Sequence, residues 1–324
     1  TYRYDKELYS RKSGSAFPTI IQAENEQQQS QFIVQQILEY REAGLPLDEI
    51  AVLMRSGFHS FDLEIELNRA NIPYQKFGGF KFIETAHVKD VIAHLRVLVN
   101  PKDAVSWNRI LLLLEGVGPR TANKVIEALV SGAVTLQTRQ NLKEIVRGDE
   151  QISMLFSLLA RLDESTATPG EKVWQIIDYY RPQMKKKYDD YKKRLKDIET
   201  MGSIAERYRS VPALLADMAI EPPSESVEDI VPTGSETEFL TLSTIHSAKG
   251  LEWGAVFLLW ALDGRFPPVR AFESEESLEE ERRLFYVACT RAKERLFITY
   301  PINIFDRESG MVLGKVSRFL DGIG

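Results

Sequence analysis

Apolar and polar positions follow two rhythms along this chain. "TIIQA" (19–23) is short and β-branched, which predicts a strand, and residues 27–42 follow with helical spacing closed by Gly44. "IAVLMR" (50–55) is a compact apolar run of the kind a parallel strand covered on both faces requires. A helix is predicted over 61–70, with Leu63, Leu67 and Ala70 on one side, and "IPYQKFGG" predicts a further strand ending in a glycine pair. From about 86 to 220 nearly every segment is instead helical, as in "VKDVIAHLRVLV", "SWNRILLLL", "TANKVIEALV" and "QISMLFSLLARL". Met184, Tyr188, Tyr191, Leu195 and Ile198 recur at spacings of four and three, which predicts one long charged helix over 184–201 with a narrow apolar seam. Asp189–Lys193 and Asp190–Arg194 add i,i+4 support. After the Pro/Ser/Glu-rich stretch 221–238, which predicts a linker or surface loop, the first rhythm returns. "FLTLSTI" and "GAVFLLW" predict strands, 278–294 a helix and "RLFITY" a last strand.

The simplest architecture is an α/β domain with a parallel sheet, built from both chain ends, with a mostly helical domain inserted into it. Loops accept such insertions because their ends lie close together. The expected boundaries are 1–83 and 238–324 for the α/β domain and 84–237 for the insertion.

Composition adds limits. The chain has 324 residues, ample for a real core in each domain. No apolar run approaches the ~18 residues that span a bilayer. There is no secretory signal pattern, and the one cysteine, Cys289, fits a reducing cytosol. His59, His87, His94 and His246 are scattered without cysteine partners, so no structural metal site is expected. The net charge of −6 argues against a uniformly basic nucleic-acid binder. The distribution is uneven, however: residues 181–209 carry ten Lys/Arg against five Asp/Glu, whereas 221–238 carry six acids and no base. Lys-rich helical faces are usually only solvated, so 184–209 is assigned no ligand.

One position breaks the pattern. Leu284, Val287 and Ala288 lie on one helical stripe, and the next place on it holds Arg291. A guanidinium there needs a partner, because an unpaired buried charge costs several kcal/mol, about 3–5. A carboxylate of the same domain would serve. So would an external phosphate, whose oxygens match the planar fork of arginine.

"TIHSAKGLEW" (244–253) follows one predicted strand and precedes another. It is no phosphate-cradling P-loop, since Lys249 precedes Gly250, and G-x-x-x-x-G-K-[ST] occurs nowhere in the chain. "LLLLEGVGPRTANKVIEAL" (111–129) reads as helix, Gly-x-Gly hairpin, helix. Gly116, Val117 and Gly118 make the turn and Pro119 suits the first helical position. Arg120 and Lys124 add charge where a helix N-terminus can hold a phosphate. Alternatively the hairpin is only a glycine turn between packed helices.

"TIHSAKGLEW" and "EEERRLFYVACTRAKERL" (279–296) resemble motifs V and VI of superfamily 1 helicases of the UvrD/Rep/PcrA group. Residues 50–82 are similar to the segment that begins that family's second RecA-like domain. The resemblance implies a RecA-like, P-loop NTPase-type sheet domain with an inserted accessory domain carrying a helix-hairpin-helix-like element. It implies the C-terminal portion of an ATP-dependent 3′-5′ DNA helicase, with Arg291 as arginine finger and Lys249 and Glu252 at the nucleotide. Thr244, His246 and Arg55 would face single-stranded DNA, with a capping or salt-bridge role as the alternative for each and for Arg55 an equal one, and Gly116, Val117, Gly118, Arg120 and Lys124 would face a duplex. ATP and Mg2+ would be bound mainly by the protein's own N-terminal RecA-like domain, which holds the Walker motifs this chain lacks, so the chain alone would be inactive. Expected partners are single-stranded DNA, a duplex DNA junction and that domain, with no membrane, in the bacterial cytosol or nucleoid. The rival readings are a non-catalytic helicase-like DNA-binding subunit and part of a RecB/AddA-like helicase-nuclease.

Overall fold

The computed structural model describes residues 17–78, 81–138, 150–219, 238–306 and 310–321. Most of the acidic stretch 221–238, through 237, lies outside the described residues. The chain divides into two compact units, residues 1–79 with 223–324, and residues 80–222.

The first unit is built on a six-stranded sheet. Its strands are β1 (Thr19–Ala23), β2 (Ile50–Met54), β3 (Tyr74–Phe77), β4 (Leu240–Thr244), β5 (Trp253–Leu258) and β6 (Ala292–Pro301). They lie in the order β1-β6-β5-β2-β4-β3, and every pair is parallel. The α/β parallel-sheet fold expected from the two chain ends is therefore present. β2 and β5 lie in the interior of the sheet and are buried at every position, which explains their unbroken apolar sequence.

The two faces of β2 divide by parity, as a pleated strand requires. Ile50, Val52 and Met54 pack with α1 (Glu26–Glu42) and α2 (Phe61–Arg69) through Ile33, Ile37, Leu63 and Leu67. Ala51 and Leu53 pack on the other face with Phe285, Ala288, Ile245 and Ala248. Helix α1 starts where Asn25 accepts the Gln28 amide at 2.9 Å, a side-chain cap for an otherwise unpaired donor.

The second unit holds helices and no strand among its described residues. Its helices are α3 (Ala86–Val99), α4 (Ala104–Leu111), α5 (Pro119–Ser131), α6 (Glu150–Glu164), α7 (Pro169–Lys187), α8 (Tyr191–Ala205) and α9 (Val211–Ala219). Trp107 of α4 stacks on Phe156 of α6 at 5.1 Å between ring centres, inside a core that includes Val97, Ile110 and Val125. Asp90 of α3 is buried and satisfied twice, by Tyr180 Oη at 2.5 Å and Arg109 Nε at 2.6 Å. Thr168 and Glu171 form a reciprocal capping box at the start of α7.

Two predicted helices differ from the structure. The single helix expected over 184–201 is broken: α7 ends at Lys187 and α8 begins at Tyr191. Tyr188 takes an extended backbone (φ −127°, ψ 124°), and the Asp190 side chain, which makes no capping bond, accepts from Arg194 Nε at 2.7 Å as an i,i+4 pair. Only Met184 and Ile198 of the supposed seam are fully buried, one on each helix. The helix expected over 278–294 is α10 (Glu275–Cys289), and β6 begins at Ala292 rather than 295. Thr290 Oγ1 turns back to Val287 O at 2.9 Å, and Ala292 already pairs with Trp253. Arg291 therefore stands in the turn between helix and strand and not on the helix itself. A small hairpin, β7 (Ile304–Asp306) with β8 (Met311–Leu313), was not expected from the sequence.

Candidate functional site

Because all six strands run the same way, their C-terminal ends share one edge, where ligands of open α/β sheets gather. Arg55 directly follows β2, Thr244 ends β4 and Gly78 follows β3. The Ile245 amide bonds Met54 O at 3.0 Å, which joins the two central loops. Gly78 has φ +79°, and a Cβ there would lie 2.1 Å from Thr244 Oγ1 and 2.8 Å from Ser247 Oγ. The glycine is what lets this loop lie against the Thr244 hydroxyl. Gly78→Ala is expected to destabilise the chain by about 2 kcal/mol or more, since strain at such a backbone adds to the collision. Gly44→Ala is the control: φ is +89° but nothing lies within 4 Å, so only the conformational cost, about 1–2 kcal/mol, remains. Urea unfolding of the two variants gives the comparison.

From Thr244 the chain recrosses a face of the sheet. Ile245 and Ala248 anchor it in the core, and the Ser247 and Ala248 amides both return to Thr244 O. His246 and Lys249 are left exposed. The segment ends at the opposite edge, where the Trp253 amide bonds Arg291 O at 2.9 Å.

The sequence-predicted residues thus fall into two groups. Arg55, His246 and Lys249 line one cleft of roughly 590 Å³, with Arg270, Glu280 and Glu281 among its other walls. Arg55 is forked onto Glu281, Nε to Oε2 at 2.7 Å and Nη2 to Oε1 at 2.6 Å, with side chains 14% and 9% exposed. His246, Lys249 and Arg270 have no bonding partner among the described residues. At the far edge, the Arg291 guanidinium donates to Val287 O (3.0 Å), Leu251 O (2.9 Å) and Thr290 Oγ1 (3.0 Å). All three acceptors are neutral, and no carboxylate of the described residues pairs with it. The side chain is positioned, half-buried, and its charge is uncompensated. Glu252 is exposed, next to Leu251 and directly before β5. Lys249 goes with the cleft rather than with Glu252 and Arg291.

In the helical unit, the turn between α4 and α5 places Gly116 at φ +83° and Gly118 as the cap of α5, with Pro119 at its first position. Val117 is buried and its amide bonds Leu114 O at 3.2 Å, so it plugs the turn from inside. Gly116, Gly118, Arg120 and Lys124 remain exposed. The first-turn amides beyond Pro119 have no acceptor within their own helix.

Residues 3–302 match the family described as the UvrD-like helicase C-terminal domain. The chain belongs to this family. It is 31% identical over 98% of its length to ATP-dependent DNA helicase UvrD1 of Mycobacterium tuberculosis, covering 45% of that protein. It is 29% identical over 99% of its length to ATP-dependent DNA helicase PcrA of Staphylococcus epidermidis, covering 46%. For PcrA of Staphylococcus aureus the figures are 28%, 93% and 43%. The chain thus spans a little under half the length of these curated relatives.

Two residues of this UvrD-like unit escaped the sequence reading. Glu281 stands on the row that continues through Phe285 and Ala288, and an acid on a buried row demands a cation for the same reason that Arg291 demands an anion. That signal was present in the spacing. Arg270 lies in a turn between β5 and α10 that carries no periodic signal. Burial pushes the Cys289 thiol up to about 12, so it stays protonated at neutral pH and offers no nucleophile. Among the described residues no cluster of His, Cys, Asp or Glu could hold a metal, and no helix is long and apolar enough to cross a membrane.

Proposed function

We propose that this chain is the C-terminal portion of an ATP-dependent DNA helicase, acting in the bacterial cytosol or nucleoid. The observation that carries the reading is the uncompensated charge of Arg291, held by neutral oxygens at the rim of the sheet. A guanidinium so placed fits the terminal phosphate of a nucleotide bound by a neighbouring domain. ATP, with Mg2+ held mainly by that N-terminal RecA-like domain, supplies the phosphoryl group whose transfer drives movement. Arg291 stabilises the charge that develops on it, a contribution of about 10³–10⁵ in rate. Glu252, beside the Leu251 carbonyl that Arg291 bonds, takes the ribose side. Lys249, expected from the resemblance at the nucleotide, lines the cleft with Arg55 and His246 and serves the strand instead.

Thr244, His246 and Arg55 contact the backbone of single-stranded DNA at the opposite edge. Backbone contacts fix position without reading sequence, which suits a motor. The hairpin of Gly116, Val117 and Gly118, with Arg120 and Lys124 behind it, grips the duplex, Val117 serving only to hold the loop. The names of the PcrA and UvrD1 relatives support the reaction class.

The test is strand displacement by the full-length protein on partial duplexes. Unwinding that requires ATP and a 3′ single-stranded tail, with none from a 5′ tail, is the expected result. Duplex binding without ATP-dependent unwinding would instead indicate a non-catalytic DNA-binding subunit.

A further inference from the structure

Arg55 and Arg291 stand at opposite edges of one sheet, yet one helix reaches toward both. α10 carries Glu281, which forks Arg55, and its last turn supplies Val287 O to Arg291 Nε at 3.0 Å. The two contacts are separated by six residues of packed helix, a span of about 9 Å at 1.5 Å per residue. Phe285 and Ala288 fix that helix in the core, so it shifts as a body rather than bending.

The fork uses Nε and Nη2 of Arg55 and leaves Nη1 without a partner among the described residues. Arg55 lines the cleft with Lys249 and Arg270, whose ammonium and guanidinium groups are free. A planar guanidinium held by one edge on a carboxylate presents its other donors in a fixed direction.

We propose that Glu281 is a positioning residue: it aims Arg55 at a backbone phosphate in this cleft, and through α10 it ties that contact to the engagement of Arg291. Resting on the helicase reading above, the inference makes the fork the element by which nucleotide occupancy changes the grip on the strand. Lys249 and Arg270 draw the phosphate in, and Arg55 follows α10 because two parallel hydrogen bonds do not slide.

The experiment uses the full-length protein and a fluorescein-labelled dT16 oligonucleotide. Anisotropy gives its Kd with and without a non-hydrolysable ATP analogue and Mg2+. Wild type is expected to show a ratio of at least about 5-fold between the two conditions, the lower end of ordinary coupling. Glu281→Gln is expected to bring that ratio below about 2-fold, with Arg55→Ala doing the same and the double variant no more, as one shared element requires. Arg55→Lys keeps the charge without the fork; whatever its nucleotide-free affinity, it should lose the ratio. It decides the matter should Glu281→Gln fail to fold. A wild-type ratio preserved in Glu281→Gln or in Arg55→Lys overturns the inference and leaves the helicase reading standing. Absence of dT16 binding or of any nucleotide effect in wild type overturns both.

Discussion

Replacing Arg291 by alanine in the full-length protein is expected to lower the DNA-stimulated kcat for ATP hydrolysis by about 10³-fold or more, the scale of an arginine finger. The protein should still fold, at a cost of no more than about 1.5–4.5 kcal/mol for the hydrogen bonds lost. The guanidinium gives three hydrogen bonds to neutral acceptors and closes no ion pair, so its removal strands no buried carboxylate. Each lost bond is worth about 0.5–1.5 kcal/mol net, and the carbonyls of Leu251 and Val287 can turn to water. Arg291→Lys should recover little of the rate, because an ammonium keeps the charge but not the bidentate fork. Steady-state hydrolysis beside a thermal melt separates the two effects. A fall in rate matched by a collapse of the melting point would mean that Arg291 is structural.

The largest stability effect is expected at the opposite edge of the sheet. Lys76 Nζ lies 2.6 Å from Glu64 Oε1, with side chains only 2% and 3% exposed. The ammonium also donates to Gly57 O at 3.1 Å and sits 4.8 Å above the Phe61 ring. Glu64 in turn accepts from Ser60 Oγ at 2.7 Å. This buried pair holds the turn over Gly57–Ser60 that follows Arg55. Lys76→Ala removes the cation facing a carboxylate buried with it, and such breaks cost about 3–5 kcal/mol. Replacing both partners, Lys76→Met with Glu64→Leu, should cost less than Lys76→Ala alone, because no charge is then left behind. Urea midpoints of the chain measure both. A loss below about 1 kcal/mol for Lys76→Ala would place the pair among ordinary surface ion pairs.

The α/β framework was legible because burial on both faces forces apolar runs. "IAVLM" and "GAVFLLW" could not be exposed strands, and both lie in the interior of the sheet. The strand order was not legible. β1 pairs with β6 through Thr19 and Phe297, and nothing local to either residue encodes that pairing. The long basic helix was misread because charged residues tolerate both helix and break. The extended backbone at Tyr188, which propensity does not weigh, is where the chain turns.

At the site, the residue types were readable and their grouping was not. Thr244, His246, Lys249 and Glu252 come from one short stretch, but six residues of successive turns carry that stretch across the sheet and deal its side chains to different edges. Arg55 suits a phosphate or a salt bridge equally by sequence, and nothing local names the partner that holds its inner edge, Glu281, 226 positions away. Trp260, two residues beyond the end of β5, has φ +59°, a backbone that its side chain gives no reason to expect.

The most direct test of the central claim is a crystal structure of the full-length protein with single-stranded DNA and a non-hydrolysable ATP analogue. The account predicts that the Arg291 guanidinium meets the terminal phosphate at ~2.8 Å, the distance of a charge-assisted hydrogen bond, having given up Leu251 O. A guanidinium still bonded to Leu251 O, with the phosphate bound elsewhere, would contradict it.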